Sequence, residues 1–129
     1  MYLESHDEVA SNNGKTRLPT DIDRASPRSW YAKKRSTLGV ALVFTAPGIP
    51  MIFQGQELLE TRSWHDNVPI DWADASRWAG IVTLYRDLVA LRRNARSTTR
   101  GLRTAPERVP RQRRRQSDRA PPLGRRWAG

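Results

Sequence analysis

Apolar and polar positions alternate between two kinds of segment along this chain. Met1 to Ser5 is a short, partly apolar run that breaks at once into Ser5-His6-Asp7-Glu8 and then a turn-rich stretch, Ser11-Asn12-Asn13-Gly14. That pattern predicts a strand delivering polar residues into a loop. After a loop through Pro19 to Pro27, Ser26 can cap a helix and Pro27 suits its first turn. Trp30, Lys34, Leu38, Ala41, Leu42 and Thr45 recur at helical spacing, which predicts a helix to Thr45, stopped by Ala46-Pro47-Gly48. Ile49 to Phe53 is a second apolar run, bounded by Gly48 and Gly55, with the length of a buried strand and too short for a helix.

A long loop follows to about Ala75, carrying Trp64, His65, Asp66, Pro69, Asp71 and Trp72. Loops of that length are uncommon unless they serve a function or are disordered. A second helix is predicted from Asp74 or Ser76 to about Asn94, with Trp78, Ile81, Val82, Tyr85, Leu88 and Val89 as its apolar stripe. Arg92, Arg93 and Arg96 fall near its end, where cations complement the helix dipole. Strand, loop, helix, strand, loop, helix is α/β grammar, in which functional residues sit at the C-terminal ends of strands. Two such units are a quarter of an eight-stranded barrel, a fold that takes about 250 residues. The expected fold is therefore the last part of a (β/α)8 barrel over residues 1–99, a piece rather than a whole.

Charge changes the picture only at the end of the chain. Of 129 residues, 23 are Lys or Arg and 13 Asp or Glu, a net charge of +10. Residues 1–99 are nearly balanced, with 13 basic and 11 acidic side chains, whereas residues 100–129 hold 10 Arg and two acids. This Arg- and Pro-rich tail has too little apolar surface to offset its ordering entropy and is expected to be disordered. The absence of cysteine excludes disulfides, thiolate catalysis and thiolate metal sites. No apolar run approaches the ~20 residues of a membrane-spanning helix, and the first residues lack a secretory pattern. These features lead us to expect a cytoplasmic chain that has no membrane partner.

Several residues could carry chemistry. Ser5-His6-Asp7-Glu8 puts an imidazole and two carboxylates at a strand end, although His6 and Asp7 could equally cap the next turn. Spacing for a metal site is lacking, and no cofactor is implied. Gly14-Lys15-Thr16 ends like a phosphate-binding loop, but the glycine required five residues before Gly14 is Val9, so the match fails. Trp64, Trp72 and Trp78 could stack on sugar rings or simply pack.

Four segments taken together resemble one family. They are Tyr2 to Ala10 (Tyr-Leu-Glu-Ser-His-Asp-Glu-Val-Ala), Ser29 to Gly39, Gly48 to Glu57 (Gly-Ile-Pro-Met-Ile-Phe-Gln-Gly-Gln-Glu) and Pro69-Ile70-Asp71-Trp72. In this order they resemble the last quarter of the catalytic barrel in the α-amylase superfamily, glycoside hydrolase family thirteen, in its 1,4-α-glucan branching branch. The resemblance implies that the two runs are barrel strands seven and eight. It implies an α-1,4-glucan substrate, cleaved with retention by a nucleophile and an acid/base. By that resemblance Asp7 is the third carboxylate, which stabilises the transition state, and His6 binds the same sugar. The nucleophile and acid/base belong to strands four and five, which this chain does not contain, and Glu57 is expected to order the loop after strand eight. A two-residue insertion in Ala10 to Lys15 departs from the family pattern.

Beyond Leu102 the departure is complete, because relatives continue into an all-β domain. Codons for Val109 to Gly124 read one base later can spell a segment resembling that domain, so the tail is expected to be an out-of-frame product. Hydrolysis of the amylase type is the alternative within the family. An alternative of another class is a nucleic-acid-binding protein using Arg111 to Arg115 on phosphates. It is disfavoured because aromatic residues for base stacking are missing there.

Overall fold

The structure, a computed structural model, describes residues 1–10, 15–99 and 102. The basic tail and the insertion at 11–14 therefore lie almost wholly outside the described residues. Among the described residues five α-helices follow one another: α1 (His6–Val9), α2 (Leu18–Ile22), α3 (Trp30–Thr45), α4 (Asp74–Arg77) and α5 (Ala79–Arg92). A 3-10 turn over Gln56–Leu58 separates α3 from α4.

Neither expected strand is formed among the described residues, and the reason is visible in the hydrogen bonds. Met1 donates its N-terminal NH to Ile49 O at 2.8 Å, and Met51 N–H donates to Met1 O at 2.9 Å. Those two bonds bracket Met1 and Pro50 in the slanted pattern of one parallel rung. The next rung would need the Phe53 amide, which instead donates to Gln56 Oε1 at 2.6 Å. A turn is thus made where a ladder would continue. A two-stranded pair has no further strand to support it and is marginal on its own. A second parallel contact, an isolated bridge between Ala10 and Trp64, carries Trp64 N–H to Val9 O at 2.9 Å.

Both long helices form, but the first starts at Trp30 rather than after Ser26, and the second is divided at Trp78 into α4 and α5. Ser29 caps α3, its Oγ accepting from Ala32 N–H at 3.1 Å. The buried face of α3, however, is Ala32, Ser36, Val40, Val43 and Phe44. Trp30, Leu38 and Leu42 of the expected stripe are exposed, as are Lys34 and Thr45, and only Ala41 packs against the core. This helix is apolar on two sides, so periodicity fixes the helix and not its orientation. In α5 the expected stripe holds: Tyr85 and Leu88 are buried against Val40, Val43 and Phe44, flanked by Leu3, Ile81, Leu84 and Val89.

Arg92 lies in the last turn of α5 as expected, and it also reaches the neighbouring helix. Its Nη1 donates to Phe44 O at 2.8 Å and Ala46 O at 2.6 Å, and its Nη2 to Gly48 O, so it caps the end of α3. Asp74, buried at the start of α4, receives Arg28 Nη2 at 2.8 Å as well as Arg77 Nη1. This ties the loop before α3 to the start of the last helical pair.

Candidate functional site

The polar centre of the molecule is a buried ion pair. Arg17, 2% exposed, donates from Nε to Glu4 Oε2 at 2.9 Å and from Nη2 to Gln54 O at 2.8 Å. Glu4 Oε1 also accepts from Leu18 N–H at 2.5 Å, so one carboxylate receives the first turn of α2 and the arginine preceding it. Burial pushes the Glu4 carboxyl above its ordinary value, opposed by the Arg17 charge and the Leu18 amide. Arg17 thereby ties the segment before His6 to the loop after Phe53, whose ring lies 5.1 Å from its guanidinium carbon. Sequence reasoning missed this pair, since a Glu and an Arg thirteen residues apart carry no local signature.

A second anchored carboxylate shapes the loop. Glu60 accepts from the Thr61 and Arg62 amides, both at 2.9 Å, and from Arg62 Nε at 3.0 Å and Nη2 at 2.6 Å. These donors outweigh its burial and bring its pKa down to about 2. Gly55, at φ 82°, makes the entry to this loop possible, for a Cβ there would lie 3.0 Å from Glu60 Cβ. Gln56 and Glu60 therefore order the loop, the task expected of Glu57. Glu57 Oε2 is buried without a hydrogen-bond partner.

The two residues singled out from the sequence sit on the rim of this centre. Ser5 is extended at φ −141°, and the chain then turns into α1, placing His6 and Asp7 in its first turn. Their side chains are 64% and 81% exposed, with His6 Nε2 3.1 Å from Asp7 Oδ1. Val9, 2% exposed, anchors the turn from below. Trp64 completes the rim: its ring meets His6 edge-on at 6.2 Å and Phe53 edge-on at 6.1 Å. A cavity of about 20 Å³ behind it, lined by Arg17, Gln54, Glu60, Arg62 and Trp64 among others, has room for a water and not for a sugar ring.

Trp72 and Trp78 are not brought to this rim. Trp72 is 69% exposed, and Trp78 packs under Lys33 Nζ at 4.9 Å and Arg28 at 5.9 Å. Among the described residues no three His, Asp or Glu side chains converge to hold a metal ion, and no helix is long and apolar enough to cross a membrane.

Comparison with known proteins shows that by sequence the chain is related to the α-amylase family. Within that family the relatives are the 1,4-alpha-glucan branching enzymes GlgB. The enzyme of Corynebacterium diphtheriae is 34% identical over 94 residues, covering 67% of this chain and 12% of its own length. That of Bradyrhizobium sp. (strain ORS 278) is 36% identical over 93 residues, 70% of this chain and 12% of the relative. For Corynebacterium jeikeium the figures are 37% over 76 residues, 59% and 10%. The chain thus spans about an eighth of the length of the curated relatives it matches. No family model matches it, and no solved structure does.

Proposed function

We propose that residues 1–99 correspond to the final two βα units of a 1,4-α-glucan branching barrel and supply one wall of its glucan site. In this reading Asp7 accepts hydrogen bonds from hydroxyls of the sugar at the scissile bond, bonds that strengthen as the ring flattens toward an oxocarbenium ion. His6 donates to the same sugar. The complete enzyme would break an α-1,4 bond, hold the glycosyl group on a nucleophile supplied elsewhere and pass it to a 6-hydroxyl. Taken alone, the chain is without turnover in this reading, because it lacks the nucleophile and the acid/base. The tail from residue 100 on is proposed to lie outside the catalytic fold.

The observation that carries this reading is the exposure of His6 and Asp7 as neighbours on one rim beside Trp64, in a chain whose relatives are branching enzymes. A graft tests it. Residues 1–99 replace the matching segment of the C. diphtheriae enzyme, and products are assayed for new branch points and for reducing ends. Branch formation that disappears with Asp7→Asn supports the proposal. Reducing ends without branches would favour amylase-type hydrolysis, and activity indifferent to Asp7→Asn would remove Asp7 from the site.

A further inference from the structure

Arg17 is the start of an unbroken line of contacts to the rim of His6 and Asp7. Its guanidinium is held by Glu4 and by Gln54 O, both fixed in direction. The plane so fixed lies 5.1 Å from the Phe53 ring centre. Phe53 meets Trp64 at 6.1 Å with the planes 73° apart, and Trp64 meets His6 at 6.2 Å with the planes 71° apart. Each edge-on step transmits an orientation as well as a distance, since such pairs favour a T-shaped geometry. His6, by contrast, is 64% exposed and sits in a helix of only four residues. Within its own turn His6 has the 3.1 Å contact with the exposed Asp7 carboxylate.

We propose that Arg17 is a positioning residue for His6, acting through Phe53 and Trp64. This rests on the reading of His6 as a sugar-binding side chain, but the line of contacts can be tested without a sugar. The guanidinium is needed for its flat face as well as its charge: a lysine would keep an ion pair with Glu4 and lose the plane that fixes Phe53. The same reasoning makes Phe53 replaceable by tyrosine and not by leucine.

The experiment uses the full 129-residue chain, with the nuclear Overhauser contact between the His6 and Trp64 rings as readout and contacts of Phe44 with Tyr85 as the control for the core. Arg17→Lys and Phe53→Leu should each lose the His6–Trp64 contact, with His6 ring-proton shifts moving to those of an exposed histidine, while the core contacts stay. Phe53→Tyr should retain both. Persistence of the His6–Trp64 contact in Phe53→Leu overturns the proposal. Loss of the core contacts together with it, in both variants, also overturns it, because Arg17 would then be holding the fold rather than the rim. Maltoheptaose is added to the unaltered chain as a separate arm. If it leaves the His6 resonances unmoved, the glucan reading fails while the positioning result stands or falls by itself.

Discussion

Arg17 and Glu4 form an ion pair at 2.9 Å in which the two side chains are only 2% and 3% exposed. Two charges so enclosed are costly to separate and not costly to replace together. Removing one, as in Arg17→Met, should destabilise the chain by about 3–5 kcal/mol, since it strands a buried carboxylate. The double change Arg17→Met with Glu4→Leu should recover much of that loss. Urea unfolding of the single and double variants measures the coupling; additive effects would mean that the pair is not an energetic unit.

Glu60 gives the chain an acid-sensitive joint. Its pKa falls from 4.5 to about 2 on folding, so its contribution is complete above pH 4.5 and is lost as pH falls through about 2. Glu4 acts in the opposite sense, because its pKa is raised: protonation relieves a buried charge, so its contribution grows as pH falls. Stability of Glu60→Gln relative to the unaltered chain should therefore be lowest at neutral pH and converge with it toward pH 2. A constant difference across that range would show that the Arg62 clamp contributes nothing through charge.

Ser36 lies on the buried face of α3, 9% exposed, with its hydroxyl lacking a hydrogen-bond partner. Ser36→Ala removes that unpaired group and raises helix propensity, for an expected gain of about 1 kcal/mol. A loss of stability in thermal melts would reveal an acceptor for the hydroxyl.

In the grafted enzyme, Asp7→Asn should lower kcat by roughly 10²–10³, the scale of removing one transition-state-stabilising group. His6→Ala should act mainly on KM if its bond to the sugar is equal in the ground and transition states. Steady-state kinetics on a linear glucan separates the two; a pure kcat effect for His6 would assign it a part in the chemical step.

Trp30, Leu38 and Leu42, each more than 60% exposed, extend along one side of α3, and Ile49 is 80% exposed. Surface of this kind promotes association. The chain is expected to elute from size exclusion as concentration-dependent oligomers, and Leu38→Glu combined with Leu42→Lys should shift it toward monomer. A compact monomer at all concentrations, with one cooperative unfolding transition, would contradict this.

The helices were legible because their caps and stops are local: Ala46-Pro47-Gly48 ends α3 as expected, whereas the cap is Ser29, one turn later than the expected Ser26. Orientation was not legible, because Trp30, Leu38 and Leu42 are spaced as helically as Ala32, Val40 and Val43. The extended segments were half legible. The Met1–Pro50 rung puts them side by side in parallel, but only longer-range pairing could extend it, and Gln56 takes the amide that would do so. Of the rim, His6 and Asp7 could be named from their motif. Trp64 stood as one aromatic among three, and Arg17 could not be found at all, because its partners Glu4, Gln54 and Phe53 come from two distant segments.

Arg92 carries one more consequence. Its hold on the carbonyls of Phe44, Ala46 and Gly48 fastens the last turn of α5 to the exit of α3, directly before the segment that meets Met1. A helix end would ordinarily fray by itself, ahead of the rest of the molecule. Here that fraying requires releasing a neighbouring turn, so the hydrogen-bonded amides of Ala46 and Met51 and those of the final turn of α5 belong to one opening event. In hydrogen exchange they should share a single protection free energy, and Arg92→Ala should split them into two.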